Sequence, residues 1–300
     1  MIKTRSRKRT LRFWVLHVLA GFLCVGTIVG LSKYAPAFFQ ADRSLQRVVS
    51  SGVITVGYSI EAPHAFLTPE GHVTGVSPEI VRHIMGTLGV RDVRWRKCEF
   101  GELINELEAG HIDMIAAGMY ITAERMQRIS FSSPVFIDPP GLLVLKGNPK
   151  NITHYRQIVE DPSIRISVTL GSLEEQVYWR IGVDPARVIA MPDVPTARAA
   201  IMGGGVDAVA LPISSVRRMA ASDKSGRIEA NDAYQGPFDD VPCTSAFACR
   251  KEDRTLLRAV SKALDAFIGT EEHLSLTSSF GFTEGNLPPR PGRRGEPHHE

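Results

Sequence analysis

Two short stretches, "GHIDMIAAG" (Gly110–Gly118) and "GGVDAVALP" (Gly204–Pro212), repeat one pattern: Gly-x-(Ile/Val)-Asp followed by a small apolar run. Glycine at that point stops a helix, because a residue without Cβ takes the left-handed conformation at no steric cost. The aspartate then satisfies backbone amides where the chain turns into a strand, so Asp113 and Asp207 are expected to be structural. The runs that follow are too short for helices and lack polar alternation, which predicts buried strands.

The flanks repeat as well. Before the first copy come a β-branched run, "VITVGY" (Val53–Tyr58), and a helix with Ile80, Val81, Ile84, Met85 and Leu88 on one face. A second strand at "VRW" and a second helical stripe (Leu103, Ile104, Leu107) lead into Gly110. Before the second copy, "IRISVT", "SLEEQVYWRIG", "RVIAM" and "VPTARAAIMGG" read as strand, helix, strand, helix. Such βαβαβ order predicts largely parallel sheets with helices on both faces, here in two similar α/β lobes. "QGPFDDVP" (Gln235–Pro242) reads as a second crossing. A strand in "SAFACRKED" and an amphipathic helix through Leu256, Val260, Leu264 and Phe267 then return to the first lobe. The expected organisation is 42–147 for the first part of lobe 1, 148–238 for lobe 2 and 239–288 for the rest of lobe 1. Two linker strands form a hinge suited to gripping a ligand.

The ends differ from the body. Residues 1–41 carry seven basic residues and no acid, which leaves 28 basic against 32 acidic residues, about −4, in the remainder. That sign argues against a nucleic-acid surface. The apolar run Phe13–Leu31 behind a basic start is a signal-peptide core, cut near Ala35–Ala37 or after Ala41, or an uncleaved anchor able to span a bilayer of ~30 Å. Leu23 before Cys24 argues against a lipid-attachment site, which wants a small residue there. Export makes a Cys243–Cys249 disulfide an option beside buried thiols, with Cys98 left over. No His or Cys spacing indicates a metal. The Pro-, Gly- and charge-rich tail, 289–300, is expected to be disordered.

The strongest candidate site lies in "GMYITAERMQRISFSSPVF" (Gly118–Phe136). Thr122 is a natural N-cap, placing Arg125 in the first turn of a helix. Glu124 and Arg128 are spaced to pair at i,i+4, which leaves Arg125 without a local partner. An arginine beside free helix amides is a carboxylate receptor; the plain alternative is a surface arginine. Enzyme signatures are scarce: there is no GxSxG, HExxH or P-loop, and "GGGVDA" precedes its strand instead of following one.

Leu107, Gly110, Asp113, Thr122, Glu124, Arg125, Phe131, Ser132 and Pro134 match L-x-x-G-x-x-D, T-x-E-R and F-S-x-P. In this the chain resembles the family 3 extracellular solute-binding proteins of ABC importers, over about residues 44–288. The resemblance implies a two-lobed periplasmic-binding-protein-like (type II) fold, with a mixed, mostly parallel sheet in each lobe. It further implies a periplasmic or other extracytoplasmic location, an ABC permease as partner, and no cofactor. Anchoring through residues 13–31 holds if the run is uncut, and a sensory role is then an option. Arg125 takes the role of carboxylate clamp.

"EAPHAF" (Glu61–Phe66), "CEFGELI" (Cys98–Ile104), "DMIAAGMYIT" (Asp113–Thr122) and the C-terminal "IGTEEHLSLTSSFGFTEGNLP" are similar to ectoine- and hydroxyectoine-binding proteins. These bind a compact zwitterion through its carboxylate and a delocalised ring cation set against aromatic faces. By that likeness Glu61, His64, Phe100 and Tyr120 surround the cation, and Ser172 closes on the carboxylate from lobe 2, unless it or Thr169 is simply a cap or turn residue. His64 departs from the pattern, which has an aromatic hydrocarbon there, and a protonated imidazole would repel a cation. Pro212 stands where α-amino-acid binders place the aspartate for the amino group, and the ectoine binders lack that aspartate too. The alternatives are an amino-acid-binding protein and, on the same scaffold, a cyclohexadienyl dehydratase-like enzyme using a glutamate near Glu174.

Overall fold

In a computed structural model, residues 42–238 and 243–289 are described. The basic and apolar N-terminal segment, Cys24 and the tail from 290 fall outside them, and with them the choice between cleavage and anchoring. Among the described residues no helix is long and apolar enough to cross a membrane.

The chain opens with α1 (Ser44–Ser51), β1 (Val53–Tyr58), the hairpin β2 (Phe66–Leu67) and β3 (Val73–Thr74), then α2 (Val76–Thr87) and β4 (Asp92–Lys97). It continues through α3 (Leu103–Glu108), β5 (Met114–Ile115), α4 (Ala123–Met126) and β6 (Ile129–Ile137). The second lobe follows with β7 (Pro140–Leu145), α5 (Tyr155–Glu160), β8 (Ile166–Thr169), α6 (Leu173–Arg180), β9 (Val188–Met191) and α7 (Val194–Met202). It ends with β10 (Ala208–Pro212), α8 (Ile213–Ser222) and β11 (Ile228–Ala230), and β12 (Thr244–Arg250), α9 (Arg254–Phe267) and α10 (Glu271–Ser278) return to the first lobe.

The sheets run β4-β1-β5-β12-β6 and β9-β8-β10-β7-β11. In each, two strand pairings are parallel and two antiparallel, so that a single strand, β12 or β7, runs against the other four, with β5 and β10 at the centre. The repeat seen in the Gly-x-x-Asp stretches therefore extends to the whole strand order. Both aspartates sit as expected. Asp113 N–H donates to Thr55 O at 2.8 Å and its Oδ2 accepts the Thr55 amide at 3.0 Å. Asp207 makes the same pair of bonds with Arg165, both at 2.8 Å. Each carboxylate thus ties the start of its own strand to the neighbouring parallel strand. Asp113 also receives Arg47 at 2.7 Å and Arg250 at 3.3 Å.

The helical stripes bury where their spacing predicts. Ile80, Val81, Ile84 and Met85 of α2 meet Leu256, Val260 and Leu264 of α9 across one face of the first sheet. The second sheet packs Ile166, Val168 and Tyr178 on one face and Ala197, Ile201 and Val216 on the other. Each fully buried aliphatic side chain contributes roughly 1.5–3 kcal/mol.

One correction concerns the linkers, and the cysteines fall to one of the two options left open for them. The strand Pro140–Leu145, which precedes the expected boundary at 147, pairs with β10 and β11. By sheet membership, therefore, the first crossing is Asp138–Pro139. An apolar strand carries no mark of which sheet it joins. Residues 239–242 of the expected second crossing lie outside the described residues; just after them Thr244 is in register with Ile137, and Asp138 N–H donates to Cys243 O at 3.0 Å. Cys243 and Cys249 lie six residues apart along one extended segment and are not bridged. At ~3.3 Å per residue they stand roughly 20 Å apart, far beyond disulfide reach.

Asp113→Ala is expected to destabilise the protein by about 2–3 kcal/mol, because it strands an amide and a half-buried arginine pair. Asp207→Ala should cost about 1 kcal/mol, since its partner Arg165 is largely in water. Urea unfolding midpoints, at unchanged slope, check the order.

Candidate ligand-binding site

After β5 the chain runs along the cleft through Gly118. A Cβ there would sit 2.6 Å from the His64 ring at φ +65°, so the position requires glycine. Thr122 then caps α4 as expected, its hydroxyl accepting the Arg125 amide at 3.2 Å. The helix is a single turn, so Arg128 lies beyond it and the expected Glu124–Arg128 pair does not form. Arg128 instead grips Glu108, with Nε–Oε1 at 3.0 Å, and Asn105 at 2.8 Å.

Arg125 is 5% exposed. Its Nη1 donates to Tyr120 O at 2.8 Å, and its Nη2 donates across the cleft to Gly171 O at 3.0 Å. The guanidinium lies 5.5 Å from the centre of the Phe100 ring. It is therefore not an ordinary surface arginine. Among the described residues no carboxylate pairs with it directly; both of its hydrogen-bonding acceptors are neutral. Burial lowers its pKa, and Glu174 is the largest opposing influence, yet a guanidinium stays charged in such a site.

A small pocket lies between the lobes. Lobe 1 lines it with Glu61, Phe100 and Tyr120, and lobe 2 with Thr169, Ser172 and Glu174. The Tyr120 hydroxyl is occupied by Asp138 O at 2.5 Å, which leaves the ring as its offering to the cavity. Glu61 is held by backbone bonds to Ala65 in both directions, and its Oε1 accepts from Ser215 Oγ of α8 at 2.7 Å. Burial pushes its carboxyl up to about 8, against the Ser215 bond and with help from Glu174 and Asp138. Ser172 caps α6 by accepting the Glu175 amide at 3.1 Å, so it is a cap residue that also lines the cavity. Thr169 Oγ1 and Glu174 Oε1 are buried without a protein hydrogen-bond partner. Burial raises Glu174 as well, opposed by its own backbone amide and Arg125.

His64 does not line the cavity. Its Nε2 turns to Asp138 Oδ2 at 2.9 Å and Ser214 Oγ at 3.2 Å, and its ring packs edge-on against Phe136 and Phe282. Burial takes it down to about 4 and Asp138 up to about 7. The imidazole is thus uncharged at neutral pH and donates its Nε2–H to Asp138. The expected three-sided aromatic wall is reduced to Phe100 and Tyr120. A histidine with a buried acid in reach finds a better partner there than a ligand face, and that acid lies 74 positions further along the sequence.

Two features lay beyond the sequence reading. Glu174, expected only as the position of a dehydratase-like glutamate that binding proteins also often carry, lines the cavity itself. The lobes also touch backbone to backbone: a Cβ on Gly171, at φ +74°, would lie 2.8 Å from Gly101 Cα, and one on Gly101 would lie 3.2 Å from Leu170 O. Gly101 at a helix start was the available signal, since glycine there is unfavourable unless another backbone comes close.

Two α/β lobes closed over a small pocket of mixed polar and apolar lining define a ligand-gripping binding protein. The chain belongs to the bacterial extracellular solute-binding proteins, family 3, whose family model matches residues 54–281. The probable amino-acid ABC transporter periplasmic-binding protein y4tE of Sinorhizobium fredii is 29% identical over 273 residues, covering 88% of this chain and 90% of that protein. The L-cystine-binding protein TcyJ of Escherichia coli is 26% identical, over 83% of this chain and 88% of its own length. Among solved structures, EhuB in complex with hydroxyectoine superposes with a TM-score of 0.75 at 27% identity, covering 81% of this chain and 93% of that one. An ancestral arginine-binding protein bound to arginine gives a TM-score of 0.67 at 25% identity, over 76% and 98% of the chains.

Gly171→Ala is expected to keep the lobes folded by circular dichroism while lowering ligand affinity at least tenfold. The new methyl group meets Gly101 before the cleft is shut, and the left-handed backbone adds about 1 kcal/mol of strain.

Proposed function

We propose that this protein is the solute-binding component of an ABC importer, working outside the cytoplasmic membrane and delivering a compact zwitterion of the ectoine or hydroxyectoine kind. The carrying observation is the buried guanidinium of Arg125, which makes hydrogen bonds only to carbonyl oxygens beside a cavity edged by Phe100, Tyr120 and Glu61. A carboxylate supplies the counter-charge that the chain does not place in contact with Arg125, with bidentate geometry available. A delocalised ring cation lies against the two aromatic faces, worth ~0.5–2 kcal/mol per contact when desolvated, with Glu61 as its acid. The relation to EhuB, solved with hydroxyectoine, supports this ligand class.

An amino acid is the second reading. The names of y4tE and TcyJ favour it, as does Glu174 Oε1, a buried acceptor in reach of an ammonium group. Pro212 in the cavity wall disfavours it, because the aspartate expected for an α-amino group is missing there. A dehydratase-like use of Glu174 is checked by looking for product from prephenate or arogenate.

Calorimetry with ectoine, hydroxyectoine, proline betaine, glutamine and arginine separates these readings. Ectoine or hydroxyectoine is expected to bind most tightly. Arg125→Ala should weaken binding by about 3 kcal/mol or more, over a hundredfold, because a buried carboxylate then lacks its partner. Unchanged affinity in that variant would falsify the clamp assignment.

A further inference from the structure

Glu61 and Glu174 face one small cavity from opposite lobes. Glu61 has its Ser215 bond and Glu174 has an Oε1 with no protein partner, 3% of the residue being exposed. The cation acting on Glu174 is Arg125. Two ionised carboxylates and one guanidinium leave the closed site at −1. Asp138, whose charge bears on Glu61, and Glu124, whose charge bears on Arg125, stand outside the cavity lining and are counted apart from this sum. Tyr120, Tyr178 and Cys243 stay neutral, each raised by burial. Asp138, behind the cavity, is met locally by the Ser214 amide at 3.2 Å, the Ser214 hydroxyl at 2.5 Å and His64 at 2.9 Å.

A zwitterion has no net charge, so it leaves that −1 on two carboxyl groups that are both buried. An uncompensated buried charge is costly, and protonating one carboxyl of the pair relieves it. We infer that the closed site binds a net-neutral zwitterion together with one proton, held on the Glu61–Glu174 pair, and binds a solute of net charge +1 without one. This rests on the solute-binding reading of the pocket, though not on which solute is native. The orphan Glu174 oxygen is where that proton, or the second cationic group of the solute, finds its acceptor.

The sign follows from linkage. In an open, wet cleft Glu61 titrates near ~4.3, and in the closed cleft near about 8. The bound state therefore holds more protons between those values, and affinity for a zwitterion falls as pH rises through that window.

Calorimetry of the full chain at pH 7, in phosphate and in Tris, reads the proton number from the difference in buffer ionisation heat. For ectoine, hydroxyectoine or glutamine, an uptake of roughly 0.7–1 proton is expected, with affinity falling nearly tenfold per pH unit from about pH 6 to 7.5. Arginine, at net +1, should show less than about 0.2 proton. In Glu174→Gln and in Glu61→Gln the site sums to zero, so zwitterion uptake should vanish and the pH dependence flatten. Uptake below about 0.2 proton with a zwitterion that binds, or uptake unchanged in both variants, overturns the inference. If arginine alone binds, the zwitterion reading fails. Near-zero uptake then upholds the charge rule, and an uptake near one proton overturns it. No binding by any of the four removes both.

Discussion

A single guanidinium ties the two halves of this molecule to each other beside their shared cavity. Arg125 donates to Tyr120 O in its own lobe and to Gly171 O in the other, with Phe100 against its face. Much of the local sequence exists to put it there. Thr122 fixes the start of a one-turn helix, Gly118 lets the preceding segment pass the His64 ring, and Gly101 and Gly171 let the lobes come within backbone contact. The two carbonyl oxygens orient the group but do not neutralise it. Geometry and charge are thereby separated: the chain sets the direction of the arginine, and on the proposed reading an anion completes its electrostatics.

The same economy of charge runs through the rest of the cleft. Positive and negative groups there are buried, yet few are paired with one another. Glu61 is bonded to a serine hydroxyl, Asp138 to a serine and an uncharged histidine, and Glu174 keeps one oxygen with no protein partner. A cavity built of internally matched ion pairs would have little to offer a charged solute, because the solute would have to displace a partner. Groups held by neutral donors keep their fields for the ligand, and for protons.

How much of this was legible depends on the range of each interaction. The repeated Gly-x-x-Asp stretches foretold two similar lobes, because a helix stop and a strand start are local matters. The Thr122 cap and the buried stripes of α2 and α9 were legible for the same reason. Helix-start placement and the family pattern single out position 125 as the expected anion site; the structure shows a buried guanidinium there, which is a matter of packing and not of ligand. What failed was long-range partner choice. Arg128 reaches Glu108 and not Glu124, His64 turns to Asp138 and not to the cavity, and Pro140–Leu145 joins the second sheet. Each involves a competitor distant in sequence that only the fold brings near.

The closed contacts also show how such a cleft can grip without locking. Consecutive residues Ser214 and Ser215 at the start of α8 are met from lobe 1 and the hinge by His64, Asp138 and Glu61. Short hydroxyls reach their partners only when the lobes are in register, so these bonds report closure with little tolerance. Each is nonetheless a modest interaction, since opening returns every group to water, and the net contribution of such a bond is about 1 kcal/mol. A few of these bonds can hold the closed geometry but cannot by themselves dominate it. The decisive difference between open and shut is then left to the buried charges, and that balance is set by what occupies the space between Arg125, Glu61 and Glu174.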